Sequence, residues 1–408
     1  MTRDQINFLF LNVGHFLDHL FLLIFATVAA LSLTAAWDMT YAELIPYATP
    51  GFVVFGLCAV PAGWLADKWS REGMMIVFFI GIGLASIATA FTTGPWTLML
   101  GLTAIGVFGA IYHPVGISMV VQGRKKTGVP LAINGIFGNL GVASAALLTG
   151  LLIDSSGWRS AFVLPGIVSV AVGVLYWRFV SAGRSADASL AATAVNPAPA
   201  AAAAAAPAIN RATLVRVFAI IFFTTAIGGL IFQSTTFALP KVFDERLADL
   251  AGSASAVGMY AFMVFAVAAF AQLVVGHLVD NYPVRVVFSA VAFLQAVFLG
   301  LMIQLQGIAA LLVAVAFMLV VFGQIPINDV LIGRLARSEW RSRAFAARYI
   351  VTFTVTATVI PGIAWLHSSW GFGVLFAVLS AAALLIFTAT MMLPSANAVV
   401  DGRAPEAA

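Results

Sequence analysis

Charge is what this chain lacks most. Only 9% of its 408 residues are Asp, Glu, Lys or Arg, against about 25% in soluble domains. Hydrophobic residues make up 62%, and the mean hydropathy is +1.05. Such a composition excludes a soluble globular protein and specifies an integral membrane protein. Cysteine is nearly absent: Cys58 stands alone in an apolar run, so a disulfide frame and a cysteine-based metal site are both excluded. No phosphate-cradling Gly-rich loop ending in Lys-Ser or Lys-Thr occurs, which leaves ATP drive without support. Nothing resembles a nucleophile–base arrangement or a metalloprotease motif, so a membrane enzyme or receptor is a remote alternative. The net charge of +4 comes from basic residues flanking apolar segments, and no nucleic acid partner is expected. Neither a cofactor nor a dedicated metal site is expected.

What the chain has in abundance is apolar runs of helix length. Twelve spans are expected at about 8–33, 41–66, 73–91, 94–121, 129–152, 160–180, 213–238, 254–276, 284–304, 308–333, 344–366 and 370–393. The alternating pattern of a membrane barrel is missing. The first run ends without a small-residue cleavage site and reads as a retained helix. With the N-terminus in the cytoplasm, seventeen of the 20 Lys and Arg fall on the cytoplasmic side; Arg159, Lys241 and Arg246 fall outside. That asymmetry puts both termini inside, in a bacterial-type inner membrane. Ser185 to Asn210, with its Ala200–Ala206 run and Pro197, Pro199 and Pro207, reads as a loose spacer. The expected organisation is an N-terminal six-helix bundle (1–182), a cytoplasmic Ala/Pro-rich linker (183–212), a C-terminal six-helix bundle (213–396) and a cytoplasmic tail (397–408).

The two halves repeat. Gly63…Asp67…Arg71 follows span two, and Gly276…Asp280…Arg285 follows span eight. His113-Pro114 interrupts span four, and Ile325-Pro326 interrupts span ten. Ser155-Ser-Gly-Trp158 precedes span six, and Ser368-Ser-Trp370 precedes span twelve. The offsets are 213, 212 and 212 residues. An even number of spans per unit makes this a parallel repeat about an axis along the membrane normal.

Against the apolar background, few polar residues stand out. His15, Asp18 and His19 sit at i, i+3 and i+4 of span one and share a helix face. Ionisable residues at membrane depth are costly, and they mark function by default. The plain alternative is a position near the interface, close to the chain start. His113-Pro114 and Pro326 would free backbone carbonyls that only protein or water can satisfy. Paired broken helices point to a central binding site, with packing kinks as the alternative. Gln324 and Asn328 share a face beside Pro326. In span five, Asn134, Gly138 and Gly141 stack at i, i+4 and i+7, letting another helix approach closely; Asn139 lies off that stripe. Gln233 in span seven is a further polar candidate. Arg348, one turn inside span eleven, either attracts an anion or anchors at the headgroups. Met259 and Met263 read as packing.

The loop pair Gly63…Asp67…Arg71 and Gly276…Asp280…Arg285, with six-plus-six parallel halves, resembles the major facilitator superfamily. The first copy matches that family's Gly-x-x-x-Asp-x-x-x-Arg pattern, and the second is degenerate. The resemblance implies an all-helical fold of two pseudo-symmetric six-helix bundles. It also implies a gating role for these loops, in which a carboxylate at a helix end meets a neighbouring helix in one conformation only. Asn139 stands where exporters of the family often carry a proline. His15…Asp18-His19, Tyr112-His113-Pro114 and Phe137-Gly138-Asn139-Leu-Gly141 further resemble the fosmidomycin-resistance branch, which implies proton-driven export of small drugs.

The expectation is a monomeric secondary transporter, not an enzyme, that exports a small organic compound in exchange for protons. Its partners would be that solute, protons and the lipid bilayer. Asp18 is the first candidate for the coupling proton, with His15, His19 or His113 as relays, because buried carboxylates and imidazoles exchange protons near neutral pH. The substrate cavity would be lined by His113, Asn134, Asn139, Gln233, Gln324, Asn328 and Arg348. The rival is an importer of a nutrient or a transition metal, for which the same histidines and Asp18 are of ligand type.

Overall fold

The computed structural model describes residues 1–122, 124, 128–190, 211–335 and 341–394. Most of the expected linker and all of the tail lie outside the described residues. Every regular element among the described residues is a helix. Eleven helices among them are long and apolar enough to cross a membrane. The last is two helices joined across Gly371, which brings the spans to twelve.

In chain order these are α1 (Arg3–Val28), α2 (Thr49–Lys68), α3 (Arg71–Ala90), α4 (Pro95–Gly109), α5 (Gly128–Ser156) and α6 (Trp158–Leu190), then α7 (Arg211–Arg246), α8 (Ala254–Ala269, continued by Ala271–Asn281), α9 (Val284–Leu301), α10 (Gly307–Leu335), α11 (341–370) and α12 (372–391). The starts follow local chemistry. Thr2 and Gln5 form a reciprocal capping box before α1. Ser70 accepts the Gly73 amide at 3.0 Å before α3, and Ser253 accepts that of Ala256 at 3.2 Å before α8. The turns α5–α6 and α11–α12 each hinge on a glycine of positive φ, Gly157 (80°) and Gly371 (73°). Gly157 lies within Ser155-Ser-Gly-Trp158 and Gly371 directly follows Ser368-Ser-Trp370, so each punctuation mark carries a positive-φ turn.

The packing repeats with them. α1 pairs with α5 and α7 with α11; α3 pairs with α6 and α9 with α12; α2 pairs with α4 and α8 with α10. The halves meet through α5 and α8, α2 and α11, and α1 and α7. At the α5–α8 seam Gly150 abuts the Ala254 backbone and Gly258 abuts that of Ala146. Small residues there bring two backbones together, as membrane helices require where no hydrophobic drive exists.

Two of these spans are not simple α-helices. α1 passes through a π-helical turn at Ala29–Leu33, and α4 passes through another at Tyr112–Gly116 before a short helix, Ile117–Val121. The second turn contains His113-Pro114: the ring of Pro114 cannot join the ladder, and the wider turn absorbs the missing bond. Span ten behaves differently. α10 runs unbroken through Pro326, so Ile325-Pro326 is not the structural equivalent of His113-Pro114 that the shared offset predicts. A proline removes one ladder bond, and the helix carries on where packing compensates.

The end of the bundle where α1 begins is here named the terminal face, and the opposite end the distal face. At the distal face His367 Nε2 meets Glu245 Oε1 at 3.0 Å. Lys241 lies 2.5 Å from Asp244 and 3.7 Å from Glu245. The ring of Tyr41, from the other half, packs edge-on against His367 with centroids 5.5 Å apart. Asp154 accepts the Ser255 amide across the α5–α8 seam at 2.7 Å. Arg246, buried, donates to the carbonyls of Met302 and Ile303 at the end of α9.

Candidate functional site

The polar residues of α1, the π-turn of α4 and the start of α5 converge inside the N-terminal half. Helical periodicity lines up Asn12, His15 and His19 on one side of α1, with Asp18 beside them. The close approach of α5 is set by Gly138: a Cβ there would lie 2.7 Å from the His15 ring. Gly14 gives α1 the same clearance against the Tyr112 ring, where a Cβ would come within 2.9 Å.

His15 Nδ1 lies 2.7 Å from the backbone carbonyl of Asn134. A carbonyl only accepts, so Nδ1 carries the proton, and in the neutral ring Nε2 is the acceptor. His19 Nε2, 3.2 Å from His15 Nε2, must then be the donor. One backbone carbonyl therefore sets the tautomers of two rings in series. The third imidazole, His113, stands edge-on to both, with centroids 5.4 Å from His15 and 5.5 Å from His19. Tyr112 stacks on His15 at 4.8 Å.

Asp18 completes the group. It is 0% exposed, neither carboxyl oxygen accepts a hydrogen bond among the described residues, and Oδ2 lies 3.4 Å from His113 Nε2. An ionised carboxylate stripped of water and donors is costly in an apolar interior. The charge state of Asp18 is thus tied to what His113 carries and to what enters beside it. The His113 side chain keeps 17% exposure, so the group has one edge not covered by the protein.

Asn134 is the structural keystone. Besides its carbonyl, its side-chain Nδ2 donates to Asn12 Oδ1 at 3.0 Å and to Tyr112 Oη at 2.8 Å. Tyr112 in turn donates to the Leu11 carbonyl at 2.8 Å. Asn12 and Tyr112 were not among the expected site residues. Asn12 carried a readable signal, three residues before His15 on the same face; Tyr112 was read only as part of the Tyr112-His113-Pro114 element and given no role of its own.

The other expected residues lie elsewhere. Asn139 is buried, with no hydrogen bond from its amide nitrogen among the described residues. Gln324 and Asn328 are buried in the C-terminal half and turned onto α7. Gln324 lies against Gly228, and Asn328 Oδ1 accepts from Thr224 at 3.1 Å. Gln233 is buried in α7. Arg348 belongs to α11, and its side chain is outside the described residues. At the terminal face Gly63 gives room to Pro114, since a Cβ there would sit 3.3 Å from the proline ring. Asp67 accepts from Arg71 at 2.7 Å, and Arg71 reaches Gln122 at 3.3 Å. The loop therefore joins the end of α2, the start of α3 and the end of the span-four helix. In the second copy Gly276 faces open space, Asp280 is exposed and Arg285 is half-buried.

Twelve apolar helices in two repeated sets of six, with a buried ionisable cluster inside the first set, have the architecture of a membrane carrier of small solutes. The chain belongs to the Major Facilitator Superfamily, whose family model matches residues 11–248. It is a multi-pass membrane transporter and not an enzyme. It is similar to a gallate transporter of Pseudomonas putida, 27% identical over 173 residues, which is 40% of this chain and 38% of the relative. The chain thus matches well under half of that relative's length. Among solved structures, a D-xylose–proton symporter superposes with a TM-score of 0.73 at 13% identity, covering 95% of this chain and 97% of that one. A bacterial homolog of the human lysosomal transporter Spinster, inward-facing and unoccupied, also gives 0.73 at 13% identity, over 96% and 98% of the chains. At such identities these likenesses speak for the fold alone.

Proposed function

We propose that the protein is a proton-coupled exporter of a small organic compound, with Asp18 as the residue that takes up and releases the proton and His113 as its relay. The observation that carries this reading is the fully buried carboxylate that accepts no hydrogen bond among the described residues, with one imidazole nitrogen 3.4 Å away. Such a group is stable when protonated or when a cation or donor arrives, and unstable otherwise. Coupling requires that dependence. His15 and His19, held in one tautomeric order by Asn134, extend the path along α1. The motifs around His15, His113 and Gly138 support kinship with the fosmidomycin-resistance branch. The excess of Lys and Arg on the terminal face supports a cytoplasmic location for that face in a bacterial inner membrane.

A second reading is uptake of a small organic acid. The gallate transporter supports the organic-acid part of this reading, because gallate is an aromatic carboxylate and the match covers 40% of this chain.

Reconstitution into proteoliposomes with an imposed pH gradient tests both readings, across a panel of organic acids and drugs. Asp18→Asn is expected to abolish gradient-driven accumulation while counterflow exchange persists. Concentrative transport by Asp18→Asn would place the coupling elsewhere, and the sign of the gradient that drives accumulation separates export from uptake.

A further inference from the structure

Three of the chain's five histidines, contributed by two separate spans, bring one ring nitrogen each within 4.8 Å of the others. The spacing has a chemical meaning. Metal–imidazole bonds of about 2.0–2.1 Å in a tetrahedral site hold neighbouring nitrogens about 3.3 Å apart. His15 Nε2 and His19 Nε2 stand at 3.2 Å. The third ring, on the π-turn of span four, brings its nitrogen within 4.8 Å of both.

The surroundings match what metal-bound histidines require. Each ligating ring ordinarily gives its other nitrogen to a carbonyl or a carboxylate, which fixes the ring and strengthens it as a ligand. His15 gives Nδ1 to the Asn134 carbonyl at 2.7 Å, leaving Nε2 for a metal. His113 Nε2 lies 3.4 Å from Asp18 Oδ2, close enough for the carboxylate–histidine pairing of the same principle to form when a metal binds the other nitrogen. Asp18, wholly buried and accepting no hydrogen bond among the described residues, offers a negative charge that a dication would compensate. Thiolate is absent from the cluster, and an all-imidazole set suits zinc, copper, nickel or iron.

We propose that His15, His19 and His113 form a binding site for a divalent transition-metal ion, held by the N-terminal half alone and supported by Asp18 and the Asn134 carbonyl. The site shares its residues with the proposed proton path, but the two readings fail separately, because binding is measured with no gradient imposed.

The test uses the full-length protein without a histidine tag, purified in detergent and titrated with Co2+ and then Zn2+. One Co2+ per protein is expected, with the visible ligand-field bands of a low-coordinate nitrogen site, displaced by one Zn2+. His277→Gln, at an exposed histidine outside the cluster, is expected to leave the titration unchanged. Asp18→Asn is expected to weaken binding by about 10- to 100-fold, the effect of losing an outer-shell partner. Single Gln variants of the cluster histidines should lose the bands. Because those variants risk misfolding, His19→Cys supplies a gain of signal: bound Co2+ should acquire a thiolate charge-transfer band, which only a ligating sulfur produces. Wild-type protein that binds no Co2+, or His19→Cys protein that binds it without that band, would overturn the proposal.

Discussion

At the scale of single residues, the candidate site depends on side chains whose roles differ in kind. Gly138 is there for space and Tyr112 for a hydrogen bond, and the two should not cost the same when changed. Gly138→Ala forces a methyl to 2.7 Å from the His15 ring, and overpacking of this sort costs about 1–3 kcal/mol. Tyr112→Phe keeps the stacked ring and removes one hydroxyl. That hydroxyl accepts from Asn134 and donates to the Leu11 carbonyl; the Asn134 amide keeps Asn12 and Leu11 stays in the α1 ladder, so the two lost bonds together cost about 1 kcal/mol, the low end of their range. The expected order in thermal unfolding of the detergent-solubilised protein is therefore wild type, then Tyr112→Phe, then Gly138→Ala. The reverse order would mean that α1 and α5 are not locked at the imidazole. Periodicity was enough to put His15, Asp18 and His19 on one face, because that relation is internal to one helix. Which of their nitrogens are occupied was not readable, since the Asn134 carbonyl that decides it comes from a helix 119 residues away in the chain.

At the scale of elements, two prolines that look alike in sequence separate in structure. Pro114 lies in a π-turn beside the ionisable cluster, while Pro326 lies in an unbroken helix. Pro114→Ala is expected to reduce transport severely, because a regular α-turn would rotate His113 away from Asp18. Pro326→Ala is expected to leave transport within about twofold of wild type, since it only restores a ladder bond. Equal losses in proteoliposome flux would show that the two helices bend together after all. The distal face carries the next expectation. His367, Glu245 and Tyr41 join α11, α7 and the segment before α2, so they hold the two halves together at that end. His367→Ala should loosen the contact and raise the labelling rate of a cysteine placed at Leu44, which is buried in the segment that carries Tyr41. An unchanged rate would assign the closure to the α5–α8 seam instead. The Asp67–Arg71 pair contributes little to stability by comparison. Its side chains are 66% and 37% exposed, and such pairs are worth about 0–1 kcal/mol.

At the scale of the whole molecule, the fold was largely legible because the bilayer leaves few options. Long apolar runs must be helices, and three repeated punctuation marks revealed the two sets of six. The site was legible only in part, because its geometry comes from contacts between helices far apart in sequence. We propose that the Ala/Pro-rich stretch 186–208 serves as a spacer. Removing about ten of its residues is expected to leave flux near normal, as loop length enters stability only logarithmically; lost flux with normal membrane insertion would reveal a docking function. One backbone feature has a larger reach than its size suggests. As a single rod, the 51 residues from Arg341 to Met391 would extend ~75 Å at about 1.5 Å per residue, more than twice a hydrocarbon core of ~30 Å. Gly371, at φ 73° and ψ −177°, occupies a region open essentially to glycine alone, and there Trp365 and Trp370 fold against each other with centroids 5.0 Å apart. That one torsion makes the number of crossings even, so it is the lack of a single side chain that returns the chain to the side on which it began.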